Sequence, residues 1–106
     1  MTDRELLEKA AKAAGMWSDA FSLNDDDSPD FSSEKGFRLA WGKGWWNPLT
    51  DDGDALRLAV KLGLLFKPEF THFLGLERFS GQDYDDYRAH RRAIVRAAAA
   101  IGEQTP

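Results

Sequence analysis

The sequence contains no cysteine, and this absence removes several classes of chemistry. Disulfide bonds, thiolate metal sites and a cysteine nucleophile are all excluded, so the fold has to be stabilised by packing. Histidine is also scarce, since only His72 and His90 are present. These two lie on different predicted elements, with no third ligand at a recognisable spacing, and we therefore predict no metal site and no cofactor.

The sequence also lacks an apolar run of the length that a membrane span requires. Residues 1–5 carry neither the basic nor the apolar region of a signal peptide, which leads us to expect a cytoplasmic protein. The chain has 106 residues, of which 42% are hydrophobic, and this is typical of one folded domain over residues 1–106. A net charge of −4 argues mildly against a general nucleic-acid binder.

The stretch 45–63 organises the rest of the chain. Pro48 stops any helix that approaches from the N-terminal side, and Thr50 or Asp51 can cap a new one. A helix over 51–62 follows, ended by Gly63 in a left-handed conformation. Its apolar face is predicted from residues spaced three and four apart: Ala55, Leu56, Ala59, Val60 and Leu62.

Two further helices are predicted, over 3–14 and 83–101, and the strands lie between the helices. Phe37, Leu39 and Trp41 alternate as in a half-buried strand, and a glycine turn at 42–44 would bring Trp45 and Trp46 back beside it. Residues 70–79 are predicted as another strand. The fold class is therefore α+β, with three helices packed on a small, largely antiparallel sheet of three or four strands, in the manner of an α-β-α sandwich.

The predicted core draws on every element. Truncation of Leu56 or Val60 to Ala is expected to cost about 1–5 kcal/mol, because a cavity would remain. The core residues predicted to be mostly buried are Leu6, Leu39, Trp46, Leu56, Val60, Leu62, Leu74, Ile94 and Val95. On the last helix we place a second set on the inward stripe: Tyr84, Tyr87, Arg91, Ile94, Val95, Ala98 and Ile101.

Residues suited to catalysis are few, and we predict no catalytic residue. The serines lack a G-x-S-x-G elbow, and the aspartates of 51–54 serve a helix start. The acidic loop 24–30 lacks the spacing of a calcium-binding EF-hand. An enzyme that acts on a nucleotide or signal molecule through His72 or His90 stays open as the rival hypothesis.

The strongest binding signal is a row of arginines, Arg88, Arg92 and Arg96, spaced four residues apart on the last helix. We expect this row to face outward and to contact an acidic protein partner, since guanidinium groups suit carboxylates and are frequent at interfaces. The alternatives are a solvated face paired with Asp85 and Asp86, and a contact with nucleic-acid phosphates. The small residues 97–100 permit close approach of another element or of a second chain, as in a homodimer.

Three blocks of sequence carry a resemblance to a known group of proteins. They are TDRELLEKAAKAAG at 2–15, WNPLTDDGDALRLAVKL at 46–62 and RRAIVRAAA at 91–99. Together they resemble small bacteriophage and prophage proteins of unknown function, and more distantly the phage α-β-α sandwich domain. Residues 16–44 and 64–82 have no counterpart in the resemblance.

The resemblance implies a phage accessory protein in a bacterial host cell, with helices against a small sheet and without a catalytic residue. Small phage proteins of this kind often inhibit host machinery or defence, and anti-CRISPR proteins are one example. The function expected on this basis is binding to a host protein and inhibition of it.

Overall fold

The computed structural model describes residues 1–17, 19–79 and 85–104. The helices are α1 (Asp3–Ala13), α2 (Asp52–Leu62), α3 (Pro68–Phe79) and α4 (Asp86–Glu103), and the strands are β1 (Phe31–Ser32), β2 (Gly36–Arg38) and β3 (Trp45–Trp46). The α+β class is confirmed, but the described residues form four helices instead of three. None of these helices is both long enough and apolar enough to cross a bilayer.

The sheet is a short antiparallel meander in the order β1-β2-β3. Phe37 pairs with Phe31 on one side and with Trp46 on the other, which confirms the predicted hairpin. Trp46 is buried and Trp45 is half-buried, as expected for neighbours on opposite faces of a strand. Gly36 has a φ of 86°, and a Cβ at this position would overlap the backbone carbonyl oxygen of Trp46. Only glycine therefore fits where the two strands approach.

The helix boundaries follow the capping residues of the sequence. Thr2 accepts a hydrogen bond from the amide of Glu5 and opens α1, and Asp51 accepts one from Asp54 and opens α2. Gly63 ends α2 in the left-handed conformation, as predicted, with a φ of 63°. Asp85 caps α4 in the same way as Asp51 caps α2. Tyr84 and the rest of 80–84 lie outside the described residues.

The strand predicted over 70–79 is wrong, because this segment is helix α3. Pro68 occupies its first position, where a missing amide costs nothing and the fixed φ suits a helix. Phe70, Phe73 and Leu74 turn toward the core at spacings of three and four. The alternating pattern at 72–76 is therefore coincidental.

Helix α4 is the centre of the packing, since α1, α2 and α3 all contact it, most extensively α1 and α3. The close approach of α1 depends on small side chains, and Ala97, Ala98 and Ala99 are buried. At Gly102 a Cβ would overlap the carbonyl group of Lys9. The helices thus pack mainly on α4, and the three-stranded sheet, which matches the predicted strand number, adds Phe37 and Trp46 to the same core.

The core prediction is confirmed in part. Leu6, Trp46, Ile94 and Val95 are buried, and Leu39, Leu62 and Leu74 are partly buried. The prediction that Leu56 and Val60 are buried is wrong, because 55% and 67% of their surfaces are exposed. The buried face of α2 is formed instead by Asp54, Ala55, Leu58 and Ala59.

Two aromatic predictions are also wrong. Trp41 was expected in a strand but follows β2 in a 3-10 turn, with a φ of 63° and 90% of its surface exposed. Tyr87 was placed on the inward stripe of the last helix, yet it is 71% exposed in the first turn of α4.

The contact between α1 and α4 predicts opposite effects for two glycine substitutions. Gly102→Ala should destabilise the protein by about 1–3 kcal/mol, because α1 would have to move away. Gly75→Ala, in α3, has nothing within 4 Å of the new Cβ and should stabilise by up to about 1 kcal/mol through helix propensity. Urea denaturation of the two variants measures the difference. Equal midpoints would contradict the close packing.

The buried and exposed faces of α2 predict different effects for two leucine substitutions. Leu58→Ala should cost about 2–5 kcal/mol, because Leu58 lies in the core and a cavity would remain. Leu56→Ala should cost less than about 1 kcal/mol, because over half of that side chain is already in water. Thermal and urea unfolding of both variants test the orientation of the helix, and the reverse ranking would disprove it.

Candidate functional site

The arginine row on α4 does not lie free in solvent as the sequence predicted. Arg92 and Arg96 both face Glu77 of α3, with Arg96 Nη1 at 3.0 Å and Arg92 Nε at 3.6 Å from its carboxylate oxygens. The Glu77 side chain is only 9% exposed. One nearly buried carboxylate therefore holds two arginines of the neighbouring helix.

Each arginine has a further contact. Arg92 also approaches Asp3 of α1 at 3.3 Å, and the Arg96 guanidinium lies 4.6 Å from the ring centroid of Phe73. These pairs span three helices and leave both side chains partly buried. The predicted outward position is thus wrong for Arg92 and Arg96. Arg88 is exposed, and among the described residues no carboxylate pairs with its guanidinium.

Arg91 joins α4 to the start of α2. Its Nε donates to the carbonyl oxygen of Leu49 at 2.9 Å, and its Nη1 donates to Asp52 at 2.7 Å. The sequence placed Arg91 on the inward stripe of the last helix, where it is the one charged residue. In the structure its two hydrogen bonds link α4 to the start of α2.

A groove runs between α2 and α4, and it is the surface that the sequence missed. Its apolar lining comes from Ala55, Leu56, Tyr87 and Ile94, and its volume is about 240 Å³. Its polar lining comes from His90 and from Asp52 and Arg91, which form an ion pair. We call this feature the α2–α4 groove.

His90 has one ring nitrogen engaged. Its Nδ1 lies 2.7 Å from the carbonyl oxygen of Asp86, and a carbonyl can only accept, so Nδ1 carries the proton. In the neutral ring, Nε2 is then an acceptor. His72 lies on the exposed side of α3 with its ring against Phe73. Among the described residues, no cluster of histidine and acidic side chains could hold a metal ion.

Trp41 is a second exposed feature. A bulky residue rarely adopts a positive φ, so the surrounding backbone has to hold it there. The hydrogen bond from Leu39 N–H to Gly44 O, at 2.8 Å, closes the turn, and that from Ala40 N–H to Ala20 O anchors its start. The indole is 90% exposed at this hydrogen-bonded turn.

The acidic loop is organised by its own hydrogen bonds. Both the hydroxyl and the amide of Ser28 donate to the carboxylate of Asp26, and the hydroxyl has the larger effect in lowering the pKa of that carboxyl. Asn24 also donates to Ser28. The predicted surface loop is therefore confirmed and is locally ordered.

The sequence contained only weak signals for these surfaces. Leu56 and Val60 are four residues apart, and so are the buried residues Ala55 and Ala59. Two adjacent faces of α2 therefore have the spacing of a buried helix face. The smaller pair is buried, which lets α2 approach α4 closely. Alanines on one helix face, with larger aliphatic residues on the adjacent face, are thus a sequence pattern that can indicate an exposed aliphatic face.

Comparison with family models, curated proteins and solved structures finds no match to this chain. The resemblance to phage proteins therefore stays a prediction.

The position of Glu77 gives a stability prediction. Glu77→Gln should destabilise the protein by about 1–3 kcal/mol, because Arg92 and Arg96 lose a shared charged acceptor. A larger loss is not expected, since both guanidiniums keep some contact with water. Glu34→Gln, an exposed change in the β1–β2 turn, should alter the free energy of unfolding by less than about 0.5 kcal/mol. If both variants unfold at the same urea concentration, the carboxylate does not stabilise the helices.

Proposed function

We propose that this protein is a non-enzymatic bacteriophage or prophage accessory protein that binds a host protein and inhibits it, in the manner of an anti-CRISPR protein. Two points support the proposal. One is the sequence resemblance of residues 2–15, 46–62 and 91–99 to small phage proteins. The other, which carries it, is the exposed aliphatic face of α2 beside the α2–α4 groove.

Leu56 and Val60 lie one turn apart on α2, and more than half of each is in contact with water. Tyr87, on the opposite side of the α2–α4 groove from Leu56, is also largely exposed. Adjacent large apolar side chains beside a groove are typical of a surface that a partner covers, whereas scattered single ones are not. Tyrosine is moreover enriched among the residues that dominate binding energies.

The partner segment that fits this surface is amphipathic. Its apolar side chains would enter the α2–α4 groove, and a carboxylate would pair with Arg88, which lies one turn before Arg91 at the groove. The sequence predicted that Arg88, Arg92 and Arg96 bind the partner. Among the described residues, Arg92 and Arg96 pair with Glu77, whereas the guanidinium of Arg88 has no carboxylate partner. Arg92 and Arg96 would support the site indirectly by holding α3 against α4.

A second candidate function is an enzyme that uses His90. The observation in its favour is the hydrogen bond that leaves Nε2 of His90 as an acceptor in a groove shared with Tyr87 and Arg91. The exposed α2 face is not needed for that function. The two proposals can therefore be separated by variants on opposite sides of the groove.

The test begins with a pull-down of bacterial host proteins by the tagged chain, followed by calorimetry with the purified partner. Leu56→Glu and Arg88→Glu should each weaken binding by about tenfold or more, through loss of an apolar contact and of an ion pair. Both residues are exposed, so both variants should keep their circular dichroism spectra.

Leu23→Glu is the matched control, because Leu23 is 50% exposed but lies in the loop before β1, outside the α2–α4 groove. It should bind as tightly as the parent. A partner that binds Leu56→Glu and the parent equally would disprove the proposed surface. Absence of a stoichiometric partner, together with an activity that His90→Ala abolishes, would favour the enzyme.

A further inference from the structure

A cleft separate from the α2–α4 groove opens on the other side of α2. Its apolar walls are Ala14 after α1, Met16, Leu39 after β2, Trp46 of β3 and Leu58 of α2. The polar residues that line it are Asp54, Arg57 and Lys61, all from α2. We call it the Trp46 cleft. Its volume is about 260 Å³.

The charge of Asp54 is already balanced within the protein. One of its carboxylate oxygens accepts a hydrogen bond from the amide of Asn47 at 3.0 Å, and the other accepts one from Arg57 at 2.6 Å. This arrangement fixes the loop between β3 and α2 to the helix. It also means that Asp54 and Arg57 together add no net charge to the cleft.

Lys61 adds a positive charge that is not balanced. It lies one turn after Arg57 and is exposed, and among the described residues no carboxylate pairs with it. The mouth of the Trp46 cleft is thus positive, although the whole chain carries a net charge of −4. A ligand with a negative group at one end would complement it.

We propose that the Trp46 cleft binds a small aromatic carboxylate, a site independent of the proposed host partner. The aromatic ring would lie among Leu39, Trp46 and Leu58, and the carboxylate would face Lys61. An enclosed apolar cavity of about 150 Å³ is enough for benzene, so this larger and partly open cleft accommodates a bicyclic ring. Mostly apolar lining with a few convergent polar groups is the usual composition of ligand sites.

The lining argues for this ligand class over others. Met16 and Trp46 offer a thioether and an indole, both of which pack favourably against aromatic rings. A cationic ligand would be repelled by Lys61, and Asp54 has no free charge to offer it. A neutral aromatic molecule would fill the same space but would gain nothing from Lys61.

The test is a titration of the isotope-labelled protein with 2-naphthoate, followed by ¹H–¹⁵N NMR. The indole N–H signal of Trp46 and the amide of Leu58 should shift in a saturable way. Lys61→Gln should weaken binding of 2-naphthoate by about fivefold, the change expected when one exposed ion pair is lost. The neutral analogue 2-naphthalenemethanol should bind the parent and Lys61→Gln equally.

Lys67→Gln provides the matched control, because Lys67 is also an exposed lysine but does not line the Trp46 cleft. It should bind 2-naphthoate like the parent. Three results would each overturn the proposal. They are the absence of saturable shifts at Trp46 and Leu58, equal affinity of the parent and Lys61→Gln for 2-naphthoate, and an equal loss in Lys67→Gln.

Discussion

The contact between α1 and the C-terminal half of α4 is the constraint on which the rest of the structure depends. Buried alanines and Gly102 let the two backbones come so close that no side chain fits between Gly102 and Lys9. Because α4 is fixed in this way, α2 and α3 can pack on its remaining sides. Dispersion contacts of these closely packed small residues act together with buried larger side chains such as Leu7 and Val95.

The same packing explains why Arg92 and Arg96 are only partly exposed. Once α3 lies beside α4, Glu77 comes between Arg92 and Arg96 and is nearly buried. A buried carboxylate requires paired cations, because an unpaired buried charge is costly. Two of the three arginines therefore pair within the protein, and the proposed binding surface rests on Arg88 and on the apolar lining of the α2–α4 groove.

Helix α2 separates the two proposed sites. One side carries Leu56 beside the α2–α4 groove, and the other carries Leu58 and Lys61 at the Trp46 cleft. The buried alanines between them bring the helix against α4. A helix that is only partly covered by its own chain can thus offer two separate surfaces, one suited to a protein segment and one to a small molecule.

The sequence by itself determined what depends on neighbours along the chain. Thr2, Asp51 and Gly63 define helix ends through local hydrogen bonds and backbone preference, and the alternation around Phe37 with its glycine turn defined the hairpin. The tertiary structure alone decided which face of α2 is buried, that 70–79 is a helix, and where Arg92 and Arg96 point. The burial of α2 and α3 depends on their contact with α4, and the directions of Arg92 and Arg96 depend on Glu77. In each case the contacting residues are distant in the sequence. Periodicity shows which residues share a face, but the partner that approaches decides which face is covered.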